Sequence, residues 1–265
     1  MEKIFHYKDK NIRYIIEGEG NVVILLHGFT ESLNIWDDYS VELTKTNKLL
    51  RIDLPGHGKS DCIGDVQTME EMAELVNSIC EAENLNQMIM IGHSMGGYVM
   101  LAFAEKYAEK LKGFGLFHSI AFADNEEQKN NRARAIEVIR NNHHGFLSAF
   151  IPELFAECNR EKYKKEIEVL IETSRSMSEQ SVISCMEGMR QREDKTHVLK
   201  EAKFPVLFIG GYEDVRVPIA KFKEQMLFPP ESTALLMTET GHMGYIEQRD
   251  KTLEFIKKYI IECNK

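Results

Sequence analysis

The chain has 265 residues, room for one large domain or one domain with an insertion at roughly 100–200 residues per domain. Its 33 Lys plus Arg against 42 Asp plus Glu give a net charge of −9, which argues against the basic footprint that nucleic acids and anionic membranes require. Hydrophobic residues, at 43%, suffice for a sizeable core, but no apolar run approaches the ~20 residues of a membrane span and the N-terminus lacks a signal peptide's apolar centre. The five cysteines (Cys62, Cys80, Cys158, Cys185, Cys263) are odd in number and contain no CxxC pair. Neither a disulfide framework nor a structural zinc is expected, and a reducing, cytoplasmic setting fits.

In chain order, Ile4–Tyr7 and Ile12–Ile16 alternate in polarity around the turn-prone Lys8–Asn11, which predicts an antiparallel hairpin. Glu17–Gly20 reads as a turn. Its GxG is no dinucleotide loop, because a strand follows where that motif needs a helix. Val22–Leu26 is a continuous apolar run, the mark of a strand buried on both faces of a parallel sheet. Comparable runs recur at Leu49–Ile52, Met88–Ile91, Gly113–Phe117, Val206–Ile209 and Ala234–Met237. Helical stripes lie between several of them: Met69, Met72, Leu75, Val76 and Ile79 form one, and Met100, Leu101, Ala104 and Tyr107 another. This alternation predicts an α/β fold with a doubly wound, mostly parallel sheet. From Ala123 to Val198 no strand-like run occurs, and about four helices are expected as an insertion. The core then comprises residues 1–122 and 199–265 and the insertion 123–198. One amphipathic helix, Ile246–Ile261, is expected to end the chain.

The strongest chemical signal is Gly92-His93-Ser94-Met95-Gly96, a G-x-S-x-G turn between the strand at Met88–Ile91 and a helix opening at Gly97. Glycines two residues either side allow a tight turn that exposes the serine, and the helix start aims free N–H groups at the reaction centre. Ser94 is therefore the expected nucleophile. A serine hydroxyl needs a histidine base oriented by a carboxylate. His242 follows the last predicted strand, between Gly241 and Gly244, at the edge of the sheet where ligand crevices form. Asp214 stands just past the strand Val206–Ile209 and is the expected carboxylate, with Glu213 and Asp124 as alternatives. The N–H groups of Met95 and of Phe29, which follows the first central strand, are the expected oxyanion donors.

His27 is read as a support for that loop, and Asp53–Ser60 as a tight scaffolding turn despite Asp53 and His57. His118 and Ser119, just past a strand end, are expected to line the pocket, with Phe146, Phe150 and Met186 of the insertion as further wall candidates. His143-His144 reads as a solvated helix end. Between Ala123 and Val198, 12 Lys/Arg face 14 Asp/Glu, so counting reveals no positive charge excess. Neither a metal nor a cofactor is expected.

Together, HGF at His27–Phe29, DLPGHGKS at Asp53–Ser60, GHSMGG at Gly92–Gly97, GGYED at Gly210–Asp214 and GHMGYIE at Gly241–Glu247 resemble the α/β-hydrolase superfamily, in the family's order. The resemblance implies Ser94, Asp214 and His242 as catalytic triad, Phe29 and Met95 as oxyanion donors, and the insertion as a helical cap. The nearest subgroup is the small esterases, enol-lactonases and carbon–carbon bond hydrolases. A serine at the elbow sets aside the dehalogenases and epoxide hydrolases, which use aspartate there. The expected activity is hydrolysis of a small carboxylic ester, thioester or lactone through an acyl-enzyme. Carbon–carbon cleavage, acyl transfer or a lyase reaction, and a non-catalytic receptor are the alternatives. A small acyl compound is the expected partner; nucleic acid and membrane insertion are not.

Overall fold

A computed structural model describes residues 1–265. The chain opens with strands β1 (Glu2–Tyr7) and β2 (Lys10–Glu17), paired antiparallel. Lys8 and Asp9 both take left-handed backbone angles (φ 46° and 61°), the two-residue turn whose twist matches that of the flanking strands. The turn is shorter than the Lys8–Asn11 stretch expected, and β2 starts at once at Lys10. β3 (Asn21–Leu26), β4 (Asn47–Ile52), β5 (Met88–His93), β6 (Leu111–Phe117), β7 (Val206–Gly211) and β8 (Ser232–Met237) complete one sheet. Its order is β1-β2-β4-β3-β5-β6-β7-β8. β2 also pairs antiparallel with β4, and all pairs from β4 to β8 are parallel, as the apolar runs predicted.

Both faces of the central strands are covered. Ile24, Leu26, Met88, Met90, Val206 and Phe208 join one hydrophobic cluster. Their neighbours Val23, Leu25, Ile89, Ile91, Leu207 and Ile209 join the other. This is the two-residue period of a pleated strand buried on either side.

Ten helices flank the sheet: α1 (Asp37–Leu43), α2 (Met69–Ala82), α3 (Met95–Tyr107), α4 (Glu126–Phe150), α5 (Lys164–Arg175), α6 (Glu179–Gln191), α7 (Thr196–Lys200), α8 (Ile219–Gln225), α9 (Gly244–Glu247) and α10 (Arg249–Glu262). The Thr68 hydroxyl caps α2 by accepting from the Glu71 N–H, and the predicted stripe of that helix is buried on the sheet. No helix is long and apolar enough to cross a membrane. The single terminal helix expected from Ile246 is broken: Gln248 leaves helical geometry (φ −140°, ψ 41°) between α9 and α10. The break lets the Glu247 side chain turn inward, where it is bonded rather than solvated.

The segment between β6 and β7 is helical, from α4 to α7, with short 3₁₀ turns at Pro152–Leu154 and Glu157–Asn159. α4 starts with a capping box between Asn125 and Gln128 and kinks at Asn142, whose side-chain oxygen accepts from the Gly145 N–H. α6 is seated on the loop before α2. The Gln67 N–H donates to the Ser184 carbonyl at 3.1 Å, and a Cβ at Gly188 would stand 1.8 Å from the Gln67 carbonyl oxygen. Gly188→Ala is therefore expected to push α6 off the core and cost about 1–3 kcal/mol, measured by urea unfolding.

Candidate active site

Ser94 stands between the end of β5 and the first turn of α3 with φ 49° and ψ −116°, a conformation L-residues rarely adopt and that costs on the order of 1–3 kcal/mol. Two glycines make it sterically reachable. A Cβ at Gly92 would stand 2.3 Å from the Gly96 carbonyl, and one at Gly96 would stand 2.6 Å from the carbonyl oxygens of Leu26 and His27. α3 thus begins in contact with the ends of β5 and β3, at Met95 rather than Gly97. The turn is tied down on both sides: the Ser94 N–H donates to the Phe117 carbonyl at 2.9 Å, and the Ser119 hydroxyl donates to the Ser94 carbonyl at 2.8 Å.

His242 Nε2 lies 2.8 Å from the half-buried Ser94 Oγ. His242 Nδ1 lies 2.8 Å from Asp214 Oδ2. Asp214 is buried, and its other oxygen accepts from the N–H groups of Arg216 (2.8 Å) and Val217 (3.0 Å). Burial alone would raise its pKa, but the electrostatic attraction of the His242 ring and the hydrogen bonds from His118 and His242 outweigh it and hold the carboxyl well below the usual range. Since the carboxylate accepts, Nδ1 carries the proton and Nε2 presents its lone pair to the serine. The His242 loop is fixed from outside: the His242 N–H donates to the Leu154 carbonyl at 2.6 Å, and Glu247 accepts from the N–H groups of Gly241 and Ala156, each at 3.0 Å.

Of the alternative carboxylates, Glu213 is exposed and accepts from the Thr240 N–H. Asp124 is buried between Arg132 and Arg192. Neither touches His242. Phe29 lies in the loop after β3, and its N–H makes no hydrogen bond within the protein. Met95 is the first residue of α3, where no intrahelical acceptor exists.

The expectation that His118 and Ser119 line the pocket is corrected. Both are completely buried and absent from the cavity wall. His118 has φ 49°, which turns it under the sheet edge, and its Nδ1–H donates to Asp214 Oδ2 at 2.8 Å. Burial pushes its pKa down to about 4. Ser119 is spent on the elbow. His118, Asp214 and His242 bring one ligand-type atom each within 4.8 Å, but those atoms are already joined through N–H protons.

Sequence reasoning missed a second buried unit. His93 Nδ1 lies 2.9 Å from Glu31 Oε2, and His93 Nε2 lies 3.0 Å from the His242 carbonyl oxygen. Glu31 also accepts from the Gly28 N–H and, at 3.0 Å, from the Tyr245 hydroxyl. With only acceptors at both ring nitrogens, His93 donates twice and is an imidazolium. Burial opposes this, but the Glu31 charge and hydrogen bond raise the His93 pKa, while the reciprocal effect lowers that of Glu31. The pair ties the Gly28–Phe29 loop to the backbone of His242. The only sequence signal was the place of His93 and Glu31 beside two motifs.

Asp53 accepts from the N–H groups of Leu33 (2.7 Å) and Lys59 (2.9 Å) and from Arg13 (3.1 Å). His27 donates through Nδ1 to the Gly28 carbonyl and accepts the Leu54 N–H at Nε2, which requires the neutral ring. His57 donates to the Pro55 carbonyl, and burial pushes its pKa down to about 3. His143 and His144 lie with ring centroids 5.0 Å apart on α4, outside the cavity wall.

Ser94 and His242 open on a cavity of about 300 Å³, walled by Phe29, Phe146, Phe150, Leu154, Met186 and Met189 among others. That is the low end of the ~300–1,000 Å³ usual for small-ligand sites. A larger cleft of about 850 Å³ lies between α5 and α9 and reaches neither Ser94 nor His242.

Two measurements follow from these buried groups. His57 is neutral when folded yet binds a proton near pH 6.5 when unfolded, so the unfolded chain holds more protons between about 6.5 and 3. Stability is expected to fall as pH drops from 6.5 towards 4, by at most about 1.4 kcal/mol per unit from this group, with a shallower slope in His57→Asn by urea titration. Glu31→Gln leaves the His93 imidazolium without its counter-ion and is expected to cost about 3–5 kcal/mol in urea unfolding. A variant as stable as the parent would show that His93 is neutral.

Residues 21–248 match the model of a family described by its alpha/beta hydrolase fold. An esterase from Thermogutta terrifontis, solved in a "malate bound" form, superposes with a TM-score of 0.93 at 28% identity over 100% of both chains. A pimeloyl-[acyl-carrier protein] methyl ester esterase from Yersinia enterocolitica is 24% identical over 96% of this chain and 99% of its own. A dihydrolipoyllysine-residue acetyltransferase component of the acetoin cleaving system of Pseudomonas putida is 27% identical over 91% of this chain, which spans 65% of that relative's length. With the sheet order, the elbow at Ser94 and the extent of the family match, the chain belongs to the α/β-hydrolase fold family.

Proposed function

We propose that the protein is a serine hydrolase cleaving a small carboxylic ester, thioester or lactone through an acyl-enzyme on Ser94. Ser94 Oγ attacks the acyl carbon as His242 Nε2 takes its proton, and Asp214 stabilises the resulting imidazolium. The oxyanion of the tetrahedral intermediate lies against the N–H groups of Phe29 and Met95, neither of which has a competing acceptor in its own element. Collapse expels the alcohol or thiol, which receives the proton from His242. Water, deprotonated by the same nitrogen, then attacks the acyl-serine and releases the acid and free Ser94. No step calls on a metal.

The observation that carries this reading is the continuous run Ser94 Oγ–His242–Asp214, 2.8 Å at each link, opening on an apolar cavity. Names of similar proteins add esterase chemistry to it. Ser94→Ala is expected to lower kcat on p-nitrophenyl acetate by at least ~10⁴-fold while leaving the thermal melt intact. A fluorophosphonate should add one adduct to the parent chain by intact mass and none to the variant. Undiminished turnover in Ser94→Ala would overturn the reading.

A further inference from the structure

Counting charges over the helical segment conceals how they are placed. The cavity wall contains three guanidinium groups, those of Arg132, Arg192 and Arg216. Apart from Glu31, already matched by His93, its only carboxylate is Asp124. In a chain of net charge −9, the lining of the proposed acyl site thus sets three guanidinium groups against one carboxylate not already matched by a histidine.

The three are not equally occupied. Arg192 is buried, stacks 4.1 Å over the Tyr98 ring, and pairs with Asp124 at 2.8 Å. It also donates to the carbonyls of Met189 and Phe122. Arg132 gives Nε to the other oxygen of Asp124 and is left with a guanidinium nitrogen whose neighbours are the sulfurs of Met186 (3.6 Å) and Met189 (3.7 Å). Thioethers are weak acceptors, so that donor is poorly satisfied. Arg216, two residues after Asp214, stacks 4.6 Å over Phe150 at the cavity mouth. Its one carboxylate partner, Glu153 at 3.0 Å, has a side chain 61% exposed and is free to give way to a ligand.

We infer that the acyl substrate carries a free carboxylate, recognised by Arg132 and Arg216, with Arg192 and Asp124 holding Arg132 in place. The substrate class is then a half-ester or half-thioester of a short dicarboxylic acid, or a lactone bearing a free carboxylate. A planar carboxylate fits the fork of a guanidinium and replaces its thioether contacts with charge-assisted bonds. The apolar wall of Phe146, Phe150 and Leu154 suits the methylene chain between the two ends. The inference rests on Ser94 as the acylated residue, so its test includes an arm that needs no turnover.

In the turnover arm, kcat/KM is compared for monomethyl and dimethyl esters of succinic, glutaric and adipic acids. The monoester of the best length is expected to be preferred by about tenfold to a hundredfold, the worth of a hydrogen bond to a charged group. That preference should fall at least tenfold in Arg132→Gln and Arg216→Gln, and fall with rising salt in the parent chain. In the binding arm, calorimetry on Ser94→Ala should detect the dicarboxylate of the same length but not inorganic phosphate, with the heat lost in Ser94→Ala/Arg132→Gln. Should Arg132→Gln unfold, Arg132→Lys keeps the charge, loses the fork, and is expected between the two. Equal rates on mono- and dimethyl esters, with no dicarboxylate binding to Ser94→Ala, would overturn the inference and leave the hydrolase reading standing. Dicarboxylate binding without any ester cleavage or fluorophosphonate adduct would do the reverse. Equal binding of phosphate would reduce the site to an unselective anion trap and overturn the inference.

Discussion

Asp214 accepts four hydrogen bonds, two from the imidazoles of His118 and His242 and two from the backbone of its own loop. A carboxylate so surrounded stays ionised although it is buried, and its charge sets the tautomer of the histidine that faces the serine. The rest of the site is arranged around that constraint. β7 carries Asp214 to the sheet edge, β6 delivers His118 beneath it, and the loop after β8 brings His242 over the top. Loss of the carboxylate would leave two buried rings without the oxygen they share.

A second buried charge pair works beside the first. Glu31 and His93 are 62 residues apart and meet between the loop after β3, the end of β5 and the His242 backbone. Burying such a pair is expensive, and it is offset here by a full set of partners: the Gly28 N–H and the Tyr245 hydroxyl on one side, the His242 carbonyl on the other. Its effect is geometric. The Phe29 loop and the His242 backbone, which would otherwise be positioned independently, share one rigid connection.

The sheet and its motifs were legible because their causes are local. Apolar runs mark doubly covered strands, and turn residues mark sharp corners at Lys8-Asp9 and at Ser94. Three motif residues at strand ends converge for the same reason: parallel strands put their following loops on one edge. Side-chain direction was not legible. His118 stands one residue beyond β6, where an extended backbone would aim it outward, and its positive φ sends it inward instead. The break at Gln248 follows from bonds that Glu247 makes to residues about 90 positions earlier, which no local pattern contains. Arg132 and Arg192 escaped notice because composition averages over the outer and inner faces of the helical segment, and Arg216 because it lies outside that segment, just past Asp214. Only the folded arrangement separates Arg132 and Arg192 from the acidic surface around them.

The backbone bond from the His242 N–H to the Leu154 carbonyl and the bond from the Ala156 N–H to Glu247 join the His242 loop to the helical segment rather than to the sheet. Exchanging that segment for one from a distant homologue, to build a chimera with new selectivity, therefore carries a hidden requirement. The donor must offer a carbonyl and an amide at the same two places, or the transplanted roof will dislodge the imidazole it covers.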